Sequence, residues 1–561
     1  MKVCLSILTI FYLFSDLIKA QNLENISKQP PVTLSGGITL QSNLYNASGI
    51  PDRSKPFSYI ITGSPTISFY NSLTIPFTFT YSEQERSYRQ PFNQFGMSPY
   101  YKWITVHAGY RNVTFSQYTL AGHTFLGAGV EIHPGIFRFG FIYGRFNRAT
   151  AVDSTTRALQ PYTYSNHGFA TKIGIGKGSN FLDFSLLKAK DDSSSVHPTG
   201  SFMGLVTPEE NVVIGMNGQT RIYKNFTFSL EAATSLFTRD LNNKSVNHDS
   251  ASNIITKLLD GFISTNGSTE HYNALQTALG YQDKILGLKI QYNRIDPNYK
   301  SMGAYFFSSD IENITFAPSL NILKSKLRLT GSLGIQHDNL NKQKQSTSSR
   351  VIGSANASAN LNDYFGFDFS YSNYSNSQRT KTILLRDTFR IAQVSQNFSL
   401  TPHYIYAGTK YVHSIVFSAN YNLFTSLDNS TNIQNNTKSY NLLLNYQITL
   451  VPKNLSFSTN LNYTDVKADA FEEGNYGLTL GVTKTMLKSK LTIGWLGSFL
   501  KGIRGGTNGL ILNQSINGNY RINKHNALSA NFNFINNHSQ NTNLNPTYSE
   551  LRGYFSYRYI F

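Results

Sequence analysis

Beyond its first twenty residues the sequence contains no cysteine, the single one being Cys4. A disulfide framework, a zinc-thiolate site and a cysteine nucleophile are excluded together. Long apolar runs are missing as well, and no segment offers the roughly 20 consecutive apolar residues that a membrane helix requires. Charge is scarce: Asp, Glu, Lys and Arg make up 14% of the chain, against about a quarter in ordinary globular proteins. Tryptophan occurs only twice. The motifs of familiar enzymes are absent too, with no G-x-S-x-G elbow and no H-E-x-x-H pair. Gly174, Gly176 and Gly178 surround Lys177 but no Ser or Thr follows the lysine, so a phosphate loop is not expected. The twelve histidines are spread singly, so no metal centre and no cofactor site is expected.

The first twenty residues have their own logic. Lys2 precedes an apolar run from Val3 to Phe14, and Ile18-Lys19-Ala20 stands before Gln21. This is the layout of a secretory signal peptide cut after Ala20. Its removal leaves 541 of the 561 residues and a net charge of +17. The basic residues are scattered, with no cluster interleaved by stacking aromatics, so nucleic acid is not an expected partner. Residues 21–32, ending in Pro30-Pro31, read as a short polar periplasmic tail, too short for a globular plug.

Residues 33–561 carry the strongest signal, which is a two-residue beat. Leu455, Phe457, Leu461 and Tyr463 share one face while Ser456, Ser458, Asn460 and Asn462 take the other. The same beat runs through Tyr440, Leu442, Leu444, Tyr446, Ile448 and Leu450, through Phe137, Phe139, Phe141 and Tyr143, and through Phe365, Phe367, Phe369 and Tyr371. Turn-forming tracts separate these runs, some short (Val451-Pro452-Lys453-Asn454) and some long (Asp428 to Lys438). With 35 Tyr and 39 Phe on the apolar faces, and Asn, Ser, Gly and Thr opposite, the pattern points away from a β-sandwich core of Val, Ile and Leu. It predicts one large antiparallel transmembrane β-barrel whose greasy face meets outer-membrane lipids. At roughly 22 to 24 residues per strand with its connection, the chain supplies about 24 strands, in a range of 22 to 26.

The last strand ends without a polar tail. Gly553, Phe555, Tyr557, Tyr559 and Phe561 alternate back from the terminus. This row resembles the C-terminal signal of outer-membrane barrel proteins, and the resemblance implies docking to the barrel-assembly machinery. The block Arg89 to Gly135, with Phe137 to Arg145, resembles a group of outer-membrane barrel proteins from Bacteroidota of unassigned role. It covers about a tenth of the chain and transfers no site.

Two tracts depart from the plain strand pattern. Residues 84–129 mix Arg86, Arg89, Arg111 and His123 with aromatics and glycines, and read as strand plus a long loop, with inward folding or ligand contact as the alternative. In residues 238–270, Ile254, Ile255, Leu258, Leu259 and Phe262 fall at helical spacing after Asp249 and Ser250. Such a helix would constrict or cap a pore, or stand exposed in a loop. Together with Arg138 and Arg558, the four basic residues of the first tract are the candidates for lining or constricting a lumen.

A lumen wider than that of 16- to 18-stranded porins, lined by amides, hydroxyls and scattered cations, suits a porin-like conduit for solutes with a bias toward anions. The alternative is a scaffold or secretion-machine barrel whose lumen is filled by a protein partner. No catalytic residue is expected.

Overall fold

The computed structural model describes residues 29–83, 93–150, 162–197, 206–243, 262–304, 309–344, 346–380, 390–426, 436–469, 471–504, 507–540 and 546–561. The leader, Arg86, Arg89, Ile254, Ile255, Leu258 and Leu259 lie outside the described residues.

A chain that alternates polar and apolar residues buries neither face by itself, and it satisfies its backbone only by pairing with neighbours on both sides. Here the pairing closes into a barrel of 26 antiparallel strands. The wall opens with Val32–Ser35 and Gly37–Ser48, two parts of one strand that break step at Gly36. Gly36 has a φ of 93°, and a Cβ there would stand 2.1 Å from the Ser64 carbonyl oxygen, so only glycine fits this bulge. The last strand, Tyr548–Ile560, pairs back onto the first in unbroken register from Gly37↔Ile560 to Ser48↔Ser549. That seam removes both free edges of the sheet.

The wall has two strands more than the best value from sequence spacing. The surplus comes from the region of Phe57–Gly63 with Thr66–Phe69, Leu73–Ser82, Gln94–Met97 with Tyr100–Tyr101, and Ile104–Asn112, where short strands meet at tight turns. Much of the tract 84–129 is therefore wall, continued by Thr124–Ile132. Among the described residues of the tract, only Val113–His123 leaves it.

Tight turns gather at one end of the barrel, together with the start and end of the wall. Tyr70 and Asn71 turn the chain with φ of 50° and 49°. Val451–Lys453 forms a single 3-10 turn stopped by Asn454 at φ 47°. Gly178, at φ 61°, sits in the hairpin between Ser165–Lys177 and Asn180–Asp192, which gives the glycine run around Lys177 its role. The long connections gather at the opposite end.

The outer face carries the aromatics in two belts. Near the long-loop end, Tyr371, Phe398, Tyr421 and Tyr440 are register neighbours on successive strands, with ring centroids 4.7, 6.2 and 4.8 Å apart. Near the tight-turn end, Tyr364 and Tyr406 lie 5.8 Å apart, and His413 and Tyr446 lie 6.2 Å apart. Between the belts stand Leu400, Leu442 and Leu444, exposed by 43, 36 and 38%. Tyr440 and Tyr446 are six residues apart, about 20 Å along the strand.

Candidate functional site

The faces of the sheet are assigned by what Val113–His123 touches. This strap connects Ile104–Asn112 to Thr124–Ile132, yet its side chains bond to strands far around the wall. Ser116 Oγ and the Gln117 backbone N–H both donate to Glu231 Oε1 at 2.6 Å. Gln117 Nε2 donates to Gln276 Oε1 at 3.1 Å, and Tyr118 Oη to Asn293 Oδ1 at 2.8 Å. A short strap reaches those residues only by crossing the interior. Glu231, Gln276 and Asn293 alternate with the outward residues of Phe226–Thr238, Thr269–Gln282 and Leu286–Ile295, so they mark the inner face.

A second loop clasps the strap. Tyr299 Oη donates to the Tyr118 carbonyl at 2.9 Å, Ser301 Oγ donates to the Thr119 carbonyl at 2.5 Å, and Gly303 and Ala304 pair in parallel with Leu120 and Ala121. Met302 N–H donates in turn to Asn211 Oδ1 at 3.0 Å, which ties this loop to the wall. Burial pushes the Tyr118 phenol up to about 12 and raises Tyr299 too, so both remain neutral donors.

Beneath the strap lies the barrel's one sizeable apolar cluster among the described residues: Phe115, Tyr118, Leu120, Phe125, Phe146, Leu187, Phe237, Tyr299 and Met302 among others. Leu120, Phe125, Phe146 and Leu187 are fully buried. At about 1.5–3 kcal/mol for each large side chain buried, this cluster provides ample energy to hold the strap against the wall. Its distribution is one-sided. Beyond Met302, Ala359 is the only buried hydrophobic residue among those described.

Several charges on the filled side are paired. Arg138 meets Asp183 through two hydrogen bonds of 2.7 and 2.9 Å, with its guanidinium 4.7 Å from the Phe181 ring centroid. Lys172 and His107 both approach Glu131, at 3.4 and 3.3 Å. Arg138 is thus an internal tie. Arg111 donates to Thr78 Oγ1 at 2.8 Å. His123 is buried at the end of the strap, its Nε2 2.8 Å from the Phe146 carbonyl oxygen, and burial holds its imidazole below the ordinary range. Arg558 stands apart from all of these. It lines two depressions of the inner wall near the tight-turn end, one shared with Thr39, Thr78 and Gln94 and one with Gln41, Lys490 and Arg521; no carboxylate lines either among the described residues. Phe262 is 44% exposed.

The strap's contacts with Glu231, Asn293 and Tyr299 were not marked by sequence pattern. Their signal is the presence of Phe115 and Tyr118 in a connection between strands, where turns usually carry Asn, Asp, Ser and Gly. Among the described residues no group of three or more His, Cys, Asp or Glu is placed to hold a metal ion.

No family model matches the chain, and no curated protein matches it. Among solved structures, the FrpB iron transporter from Neisseria meningitidis (F3-3 variant) is 12% identical, with a TM-score of 0.38 over 94% of this chain and 81% of that one. The translocation pore of the P pilus usher PapC is 11% identical, with a TM-score of 0.34 over 94% of this chain and 98% of that one. OccAB4 from Acinetobacter baumannii is 11% identical, with a TM-score of 0.28 over 68% of this chain and 97% of that one. At such identities no residue role transfers.

Proposed function

We propose that the barrel spans an outer membrane and is a porin-like conduit for small polar solutes, narrowed but not closed by the strap. The observation that carries the reading is the one-sided filling of the lumen: among the described residues, buried apolar side chains are confined, Ala359 apart, to the wall up to Met302. Two aromatic belts flanking exposed leucines suit the two interfaces of a bilayer. Closure leaves no unpaired strand edge, as hydrocarbon requires. The tight-turn end is then periplasmic and the long loops extracellular. Arg558, Arg521 and Lys490, gathered at the periplasmic mouth, support a bias toward anions. The row Gly553, Phe555, Tyr557, Tyr559 and Phe561 lies on the closing strand, where assembly machinery would engage it.

The test is single-channel recording on protein extracted from its native membrane. Steady openings with a reversal potential that favours anions support the conduit. A silent barrel that copurifies with a specific protein supports the other reading, in which a partner fills the open side.

A further inference from the structure

We propose, resting on that reading, that the open side of the lumen is a path for neutral, hydroxyl-rich solutes of the saccharide class. The inference comes from the inner face of six successive strands, Thr437–Leu450, Leu455–Ala468, Phe471–Met486, Leu491–Arg504, Thr507–Arg521 and Asn526–Ser539. Register places Asn445, Asn460, Thr479, Ser498 and Asn513 in one cross-strand row. Asn517 and Asn531 form a neighbouring pair. Alternation puts ionisable residues on this face only near the strand ends: the register pair Glu473 and Arg504 at the loop end and Arg521 at the turn end.

The amides and hydroxyls of this face, which share it with Leu443, Leu496, Leu500, Ile511 and Ile535, are both donors and acceptors, and they already bond to one another. Asn445 donates to Asn460, Thr479 and Ser498 hydroxyls lie 2.8 Å apart, Thr449 and Ser456 hydroxyls lie 2.9 Å apart, and Asn531 Nδ2 donates to Ser515 Oγ at 3.4 Å. A sugar hydroxyl is also both donor and acceptor. It can exchange with such a carpet one bond at a time, so that water lost from the solute is replaced without a deep well or a high barrier. An anion finds no such replacement here: amide and hydroxyl dipoles that bond to each other are poorly aligned for one sign of charge. On the opposite wall the Arg138–Asp183 and Lys172–Glu131 pairs cancel locally. The cations of the periplasmic mouth therefore bias entry, and the long middle section sorts by hydrogen bonding.

The experiment is ion current through single channels of the full barrel, with maltohexaose added on one side, beside swelling of liposomes in uncharged sugars and in size-matched organic anions. Expected are brief, dose-dependent interruptions of the current by maltohexaose, and faster swelling in sugar than in an anion of equal size. Asn460→Leu combined with Asn531→Leu should abolish the interruptions and leave ionic conductance in place, because ions do not depend on those amides. Channels that conduct ions yet show neither interruption nor sugar preference would overturn the saccharide assignment and leave the conduit standing. Protein that neither conducts nor swells liposomes would remove both.

Discussion

Tyr118 Oη lies 2.8 Å from Asn293 Oδ1 across the inside of the barrel, although 175 residues separate the two in the chain. The bond fastens the strap to a wall strand that its own flanking strands never touch. Truncating Tyr118 to Ala removes this bond and a fully buried ring, at a cost of about 3–5 kcal/mol by analogy with other buried aromatics. Tyr118→Phe removes only the hydroxyl bond, about 1 kcal/mol. The strap should detach in the first variant and stay docked in the second. Single-channel conductance should rise and become noisier in Tyr118→Ala and remain near the parent value in Tyr118→Phe. Equal conductance in all three would mean that the strap does not limit the pore.

Arg138 and Arg558 look alike in sequence, and their surroundings separate them. Asp183 is 3% exposed and is held by the Arg138 guanidinium. Removing Arg138 therefore strands a buried carboxylate, at about 3–5 kcal/mol. Arg138→Ala should lower the unfolding midpoint in detergent and leave anion selectivity unchanged. Arg558→Ala should do the reverse, reducing the anion bias with little effect on stability. Reversal potentials in a salt gradient, paired with denaturant titrations, read both effects. A loss of selectivity in Arg138→Ala would contradict its assignment as an internal tie.

How far the sequence speaks is clearest from these residues. The wall was legible because each strand meets two different surroundings and must alternate between them, as Tyr440 to Leu450 does. The strap was legible only as an irregularity. Phe115 and Tyr118 are the same residue types that coat the outer face, and nothing local distinguishes an aromatic that meets an inner wall from one that points outward. What decides is the long-range register that brings Asn293 to Tyr118 and Glu231 to the neighbouring Ser116 and Gln117. His123 and Arg138 could be picked out as polar groups in an unusual tract, yet their partners, the Phe146 carbonyl and Asp183, depend on pairings between strands that spacing does not reveal.

The closing strand allows a separation of folding from targeting. Phe561 contributes one backbone hydrogen bond, from its N–H to the Gly36 carbonyl at 3.1 Å, and a ring contact with Tyr559 at 5.2 Å. Deleting it should cost about 1 kcal/mol of folded stability. If the terminal row is read by assembly machinery, the amount of protein reaching the membrane should fall far more than that cost explains. Membrane yield in cells, set against refolding yield in detergent, is the comparison. A parallel, modest decline in both would reduce Phe561 to an ordinary strand residue.

A pH response follows from His123. Its Nε2 faces the Phe146 carbonyl, so the docked strap favours the neutral ring with hydrogen on Nε2. Burial opposes protonation and depresses the docked value. When the strap is released the imidazole recovers an ordinary value of about 6.5. The released state therefore binds more protons between the two values, and docking is strongest above the ordinary value. It weakens as pH falls through and below about 6.5, by up to about 1.4 kcal/mol per pH unit until the docked ring itself protonates. Asp191, Glu209 and Lys300 line the same cavity of about 560 Å³. Conductance should thus grow between pH 7 and pH 5 in the parent, and His123→Gln, which can keep a donor toward Phe146, should flatten that rise. A rise that persists unchanged in His123→Gln would assign the response to the carboxylates instead.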